Sequence, residues 1–195
     1  MGCLQQVLAA EVLTHMPEKL DFITPAVVRV LEFFFTHPSQ EFHEREVMRR
    51  ARVSKGSANK ILRMLTKLGI LIREEKGRMV FYKLNVKSAV VRQFKVLFNV
   101  WNLRKLVDEI SGSSKKIVLF GSCADGTDVE ESDIDLFVHT VEKNFVKKAI
   151  SEFYSKTERR IVPIVVDANE AVKLRREDKP LNERIERGIT LWETE

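Results

Sequence analysis

The sequence predicts an α+β protein of two domains joined by a long helix. Apolar residues in the first half recur at helical spacing and change to strand-like alternation after Gly69, and a helix-breaking run, Ser111–Ser114, follows a long helical stretch. Residues 21–110 carry 18 Lys and Arg against 9 Asp and Glu, whereas residues 111–195 carry 14 against 17. Because the two parts differ in charge, we expect them to bind different partners.

The composition indicates a globular protein without a membrane span. Hydrophobic residues make up 44% of the 195 and charged residues 31%, which excludes a disordered chain. The two cysteines, Cys3 and Cys123, form no disulfide framework, and no apolar run approaches the ~20 residues of a membrane span, so a cytoplasmic protein is expected. Residues 1–20 read as an amphipathic segment rather than a signal peptide, and either Met1 or Met16 fits as the start.

Three helices are predicted in the domain at residues 21–87. The first begins at Thr24-Pro25, with a capping hydroxyl before a proline, and ends before Pro38. The second spans about Glu44 to Ala51, and the third is capped by Ser54 and ends near Gly69. The buried face of the third helix consists of Ala58, Ile61, Leu62, Leu65 and Leu68.

Two strands follow the third helix, at residues 70–73 and 79–84, around a charged tip that contains Gly77. The order helix, helix, turn, helix and hairpin over residues 33–84 resembles the winged helix-turn-helix family. The resemblance implies that this domain binds double-stranded DNA, with the third helix in the major groove.

The candidate DNA-binding residues lie on the third helix and on the hairpin. Near the helix start, where side chains reach base edges, are Lys55, Ser57, Asn59 and Lys60. Arg63 lies further along and is expected at phosphates, and Arg78 on the hairpin is expected at the backbone or minor groove. The alternatives are a solvated helix face and a winged helix used only for protein contacts.

A long helix is predicted from about Ser88 to Ile110. Val90, Phe94, Leu97 and Trp101 form a coiled-coil-like seam on it. A helix this apolar needs a partner, which can be its own winged helix, the back domain or a second copy of the chain. We treat residues 88–112 as a linker and dimerisation helix and expect a homodimer.

The domain at residues 113–195 carries a pair of aspartates after a glycine turn. A buried strand, residues 117–120, ends in Gly121-Ser122, and a second strand begins at Asp133. Alternation in a strand places Asp133 and Asp135 on one face, where a divalent cation, Mg²⁺ or Mn²⁺, would compensate their charges. Gly121 permits close backbone approach to a triphosphate, and Ser122 adds a hydroxyl and an amide.

The run FGSCADGTDVEESDIDLFV, residues 120–138, closely resembles the signature of the DNA polymerase β-like nucleotidyltransferases, especially their minimal, stand-alone members. The resemblance implies a small mixed α/β fold that binds a nucleoside triphosphate. By the same resemblance Gly121 and Ser122 contact phosphate, and Asp133 and Asp135 are metal ligands and catalytic residues.

Catalysis by such proteins normally needs a third carboxylate from a later strand, and the expected position falls at Pro163 in the run 160–166. Asp167 is four residues further along. Three interpretations stay open. The protein is a DNA-binding regulator that senses a nucleotide, or an enzyme that transfers a nucleotide to a protein or nucleic-acid hydroxyl, or an antitoxin that represses its own operon. Pro163 favours the regulator.

Overall fold

The computed structural model describes residues 20–155 and 159–194, and the chain divides into two compact units, Met1–Ser88 and Ala89–Glu195. The predicted amphipathic segment lies outside the described residues, apart from Leu20. The division falls at the start of the long helix, so the residues treated above as a linker belong to the second unit.

The first unit, over its described residues, contains three α-helices and a three-stranded antiparallel sheet of order β1-β3-β2. After a 3₁₀ turn at Leu20–Phe22 come α1 (Pro25–Phe35), β1 (Glu41–His43), α2 (Glu44–Arg50), α3 (Lys55–Lys67), β2 (Leu71–Lys76) and β3 (Met79–Leu84). The three predicted helices and both hairpin strands are confirmed. Strand β1 was not predicted, because three residues are too few to show a period.

Local capping fixes where the helices of this unit begin. The Thr24 side chain accepts a hydrogen bond from the Val27 amide, and the Ser54 hydroxyl accepts one from the Ser57 amide at 3.2 Å. Both caps are the residues that the sequence predicts. The core consists of fully buried side chains from every helix and from the start of β2, among them Val30, Phe34, Val47, Leu62, Leu65 and Leu71.

The second unit is built on a four-stranded sheet of order β6-β5-β4-β7, in which only the β5–β6 pair is parallel within the described residues. Its elements are α4 (Ala89–Ser111), β4 (Ser114–Phe120), α5 (Ser122–Asp125), β5 (Ile134–Thr140), α6 (Lys143–Tyr154), β6 (Ile161–Val166), α7 (Ala168–Glu177), α8 (Lys179–Glu186) and β7 (Ile189–Glu193). It is a mixed α+β fold. In the described ranges no helix is long and apolar enough to cross a bilayer.

The two faces of this sheet carry different helices. On one face, residues of α4 and α6 pack with Ile117, Leu119, Leu136 and Val138. On the other face, Val118, Phe120 and Phe137 pack with Ile185 of α8 and with side chains of α7. Because side chains alternate along β5, Asp135 lies on the face that α7 and α8 cover.

The long helix α4 packs on its own unit through Val91, Leu103, Leu106 and Ile110, together with two polar residues, Lys95 and Asn99. The predicted seam is therefore not the face that packs on the sheet. Val90, Leu97 and Trp101 are 54%, 59% and 58% exposed. Hydrophobic periodicity missed the buried face because Lys95 and Asn99 interrupt it. Of the three partners considered for the helix, the back domain is therefore confirmed as one. Homodimerisation stays a prediction.

Two leucines of α4 test this orientation. Leu106 is fully buried, so Leu106→Ala should lower the free energy of unfolding by about 2–5 kcal/mol. Leu97→Ala, the matched change on the exposed face, should cost less than about 0.5 kcal/mol. Urea unfolding followed by circular dichroism measures both. A comparable loss for the two variants would mean that the Leu97 face is covered in solution.

Candidate functional site

The glycine turn that ends β4 lies directly against Asp135. Gly121 has φ 70° and ψ −156°, a conformation that favours glycine, and Ser122 begins the short helix α5. A Cβ atom at Gly121 would lie only 2.3 Å from Oδ2 of Asp135. The turn can therefore approach the carboxylate only because residue 121 has no side chain.

Asp135 is the central carboxylate of the site. It pairs in register with Phe120, the residue before the turn, and its side chain is 28% exposed. Burial raises the pKa of Asp135, the nearby Arg184 guanidinium lowers it, and the negative charge of Asp133 raises it again, with a net upward direction.

A buried polar cluster anchors the loop between Gly121 and Asp133. At its centre is Asp128, whose side chain is 2% exposed. Its Oδ1 lies 3.3 Å from Lys95 Nζ and accepts a hydrogen bond from Asn99 Nδ2 at 3.1 Å. Its Oδ2 accepts one from Arg159 Nη1 at 2.9 Å. Two residues of α4 and one residue before β6 therefore hold the middle of the loop.

The same cluster reaches both ends of the loop. Asn99 donates to the carbonyl of Cys123 at 3.0 Å, and Arg159 donates to the carbonyl of Ser132 at 3.0 Å. These two carbonyls follow Ser122 and precede Asp133, so the cluster fixes the residues next to both predicted binding motifs. Burial raises the pKa of Cys123 to about 11, so its thiol is neutral near pH 7 and is not an activated nucleophile.

The register of β6 corrects the expected place of the third carboxylate. Strand β6 runs parallel to β5 with Val162 beside Asp135 and Pro163 beside Leu136. Pro163 therefore lies on the opposite face from Asp135, so it is not the β6 residue that could share a ligand with Asp135. Val162 lies beside Asp135 on the same face, and it is also apolar.

Asp167 does not supply the missing carboxylate either. Its side chain caps α7 by accepting from the amides of Asn169 and Glu170, and it also accepts from Lys143 Nζ at 3.0 Å. These hydrogen bonds hold the pKa of Asp167 below its usual value. Over residues 20–155 and 159–194 no group of three or more His, Cys, Asp or Glu side chains is placed to hold a metal ion.

Arg184 of α8 is a site residue that the sequence analysis missed. Its Nη2 lies 3.7 Å from Asp135 Oδ2, and its Cζ lies 5.6 Å from the centroid of the Phe120 ring. It is separated from Asp135 by 49 positions, and only the packing of α8 on the sheet brings them together. The sequence carries no local signal for this contact.

The basic residues predicted on the first unit lie on its surface. Lys55, Lys60, Arg63 and Arg78 are exposed, whereas Ser57 and Asn59 are half-buried. The Ser57 hydroxyl accepts from Ser54 Oγ at 2.9 Å, and Asn59 Nδ2 donates to Glu44 Oε2 at 2.9 Å. Ser57 and Asn59 thus also contribute to the start of α3 and to its packing with α2.

Comparisons with known proteins agree with the architecture of the second unit. Residues 101–189 match the family model described as nucleotidyltransferase domain. The second unit thus contains a nucleotidyltransferase-like domain. Comparison with curated proteins found no match.

Three solved structures illustrate the similarity. A protein described as a nucleotidyltransferase from Sulfolobus solfataricus is 17% identical, with 53% of this chain and 87% of that chain covered and a TM-score of 0.36. A toxin–antitoxin protein crystallised with AMP-PNP is 26% identical, with 50% and 75% covered and a TM-score of 0.36. A protein described as a transcriptional regulator from Rhodococcus sp. RHA1 is 15% identical, with 51% and 41% covered and a TM-score of 0.31.

Two glycine substitutions test the geometry of the turn. Gly121→Ala should lower the free energy of unfolding of the second unit by about 1–3 kcal/mol, because alanine is strained at this backbone conformation and its Cβ meets Asp135. Gly112→Ala, where an added Cβ meets nothing within 4 Å, should change stability by less than about 0.5 kcal/mol. Urea titration compares the two variants. Equal stabilities would contradict the close approach of the turn to Asp135.

Proposed function

We propose that the protein is a DNA-binding transcriptional regulator of the winged-helix type whose nucleotidyltransferase-like domain binds a nucleoside triphosphate with Mg²⁺. The observation that supports nucleotide binding is the close approach of the Gly121 turn to Asp135. The strand begins at Ile134 rather than at Asp133 as the sequence predicts, so Asp133 immediately precedes β5 and is two positions from Asp135. The turn follows the end of β4, and Asp135 lies near the start of β5, the neighbouring antiparallel strand. The glycine turn and the carboxylate therefore meet at one edge of the sheet, where phosphate and a metal ion can be bound together.

The residues present fit one divalent cation. Asp133 and Asp135 would hold Mg²⁺, or Mn²⁺, because carboxylate oxygens are the ligands that these ions prefer. When bound, the ion would neutralise phosphate charge and orient the triphosphate. Gly121 and Ser122 would contact the phosphates from the turn.

Nucleotide sensing fits the site better than catalysis does. A second metal ion or a base at the acceptor hydroxyl would require a carboxylate beside Asp135, and Val162 stands there. An apolar side chain at this position leaves phosphate binding intact and removes the group that would take the proton from an acceptor. We therefore assign the domain to ligand binding.

The proposal that the protein binds DNA is supported by the order of the helices and strands in the first unit and by its exposed positive charges. Its sequence of α1, β1, α2, α3 and a β2–β3 hairpin is the order of winged helices, and Lys55, Lys60 and Arg63 lie exposed on α3. Arg78 lies exposed at the hairpin tip. Exposed cations on one helix and its neighbouring hairpin are suited to the phosphates that flank a groove. A homodimer on two half-sites would extend this recognition.

The alternative function is nucleotide transfer to a protein or nucleic-acid hydroxyl, with the winged helix as the targeting module, and an antitoxin is one form of it. The match of residues 101–189 to a nucleotidyltransferase family model favours it. Covalent transfer of a labelled nucleoside monophosphate that survives denaturation would establish this alternative over sensing.

Replacing the two aspartates tests the nucleotide site. Asp133→Asn with Asp135→Asn should abolish magnesium-dependent binding of ATP and GTP, because the amides bring no charge to the metal. Calorimetric titration with and without Mg²⁺ measures it. Glu152→Gln is the control, since Glu152 lies on α6, which packs on the opposite face of the sheet, and binding should be unchanged. Retained binding in the double Asn variant would place the nucleotide elsewhere.

Replacing two basic residues of α3 tests the DNA interface. Lys60→Ala with Arg63→Ala should weaken duplex binding and reduce the slope of log affinity against log salt concentration by about 2, since two phosphate contacts are lost. Arg29→Ala with Lys87→Ala removes the same charge from exposed positions outside α3 and the hairpin and is the control. Fluorescence anisotropy over a salt series gives the slopes. Identical slopes for the two pairs would contradict α3 as the DNA contact.

A further inference from the structure

Arg184 is placed where it contacts both halves of the proposed nucleotide site. Its Nη2 lies 3.7 Å from Oδ2 of Asp135 and 3.4 Å from the position of a Cβ atom built on Gly121. Its guanidinium also lies over the Phe120 ring. The Arg184 side chain therefore lies next to the proposed metal ligand Asp135, the proposed phosphate-binding turn at Gly121, and Phe120 at the end of β4.

The helix that carries Arg184 is anchored, although the side chain itself is exposed. Asp178 caps α8 by accepting from the Leu181 amide at 3.1 Å, Pro180 lies in its first turn, and Ile185 is buried in the second core. The Arg184 side chain is 60% exposed. Its backbone position is thus fixed by packing, while its guanidinium can move without disturbing the core.

The contact between Arg184 and Asp135 engages one guanidinium nitrogen and is long for a hydrogen bond. A separation of 3.7 Å is an ion pair rather than a short, two-pronged hydrogen bond, and its exposure to solvent makes such a pair weak. Five N–H donors in a rigid fork are suited to phosphate oxygens, and Gly121 beside them is where the terminal phosphates would lie.

We propose that Arg184 exchanges partners when the nucleotide binds: it pairs with Asp135 in the free protein and binds the β- and γ-phosphates of the triphosphate in the complex. This inference rests on the proposed function of the site. Two consequences follow. Arg184 competes with a free metal ion for the Asp135 carboxylate. When a metal ion binds together with a triphosphate, Arg184 instead strengthens binding through its contacts with the phosphates. It thereby selects nucleoside triphosphates over monophosphates.

The test is a pair of titrations on Arg184→Ala and Arg184→Lys in the full chain. Mn²⁺ binding without nucleotide is followed by the loss of the free-ion electron paramagnetic resonance signal, and binding of ATP and AMP with Mg²⁺ is followed by calorimetry. Arg184→Ala should bind Mn²⁺ alone several-fold more tightly and bind Mg²⁺-ATP roughly 10- to 100-fold more weakly. Its AMP affinity should change by less than about 2-fold. Arg184→Lys should lie between the wild type and Arg184→Ala for ATP, because it keeps the charge and loses the fork.

Lys148→Ala is the matched control, since it removes one exposed positive charge from α6 on the other side of the sheet, and it should match the wild type in every titration. Any of three results for Arg184→Ala would overturn the exchange of partners. They are an equal loss of affinity for ATP and AMP, an unchanged Mn²⁺ affinity, and an unchanged ATP affinity. A wild-type protein that binds no nucleotide would instead overturn the proposed function itself. Thermal unfolding checks that the variants are folded.

Discussion

One buried carboxylate, Asp128, determines where the parts of the candidate site lie. An ion taken out of water costs several kcal/mol, and Lys95, Asn99 and Arg159 together stabilise the buried Asp128 carboxylate. Lys95 and Asn99 lie on α4 and Arg159 lies two residues before β6, so the loop from Gly121 to Asp133 is held on two sides. The backbone of α4 also approaches the loop closely, because a Cβ at Gly126 would lie 2.2 Å from the Arg92 carbonyl oxygen. Removing the Asp128 carboxylate would leave the buried Lys95 ammonium without its ion-pair partner, at a cost of about 3–5 kcal/mol.

This dependence explains why α4 is part of the nucleotidyltransferase-like unit rather than a connector. Its apolar residues from Leu103 to Ile110 pack on the sheet, and its first half contributes Lys95 and Asn99 to the loop. A polar pair on the buried face removes the apolar period that would have revealed it. The exposed stripe with Leu97 and Trp101 kept such a period and therefore looked like the packing face.

The sequence predicts what is encoded locally, and it fails where distant segments meet. Thr24 and Ser54 cap their helices as expected, since a cap depends on residues two or three positions away. The same holds for Gly121 and for the alternation that puts Leu136 in the core and Asp135 on the other face. The position next to Asp135 on β6 depends on strand register, and a shift of one residue exchanges Val162 for Pro163 and reverses the face. Arg184 and Asp128 were likewise beyond prediction, because their partners are brought together only by tertiary packing.

The balance of charge around Asp135 also bears on the proposal that this site binds a nucleotide rather than transferring it. The protein offers two carboxylates and one exposed arginine, and the residue beside Asp135 on β6 is Val162. A third acid would raise the negative charge further and demand a second metal ion, whereas a valine lets one ion and one guanidinium balance the pair. A valine side chain also cannot accept a proton from an acceptor hydroxyl. In the proposed site, ligand affinity would thus depend on Asp135 and Arg184, whereas proton transfer would depend on the residue beside Asp135 on β6, which is Val162.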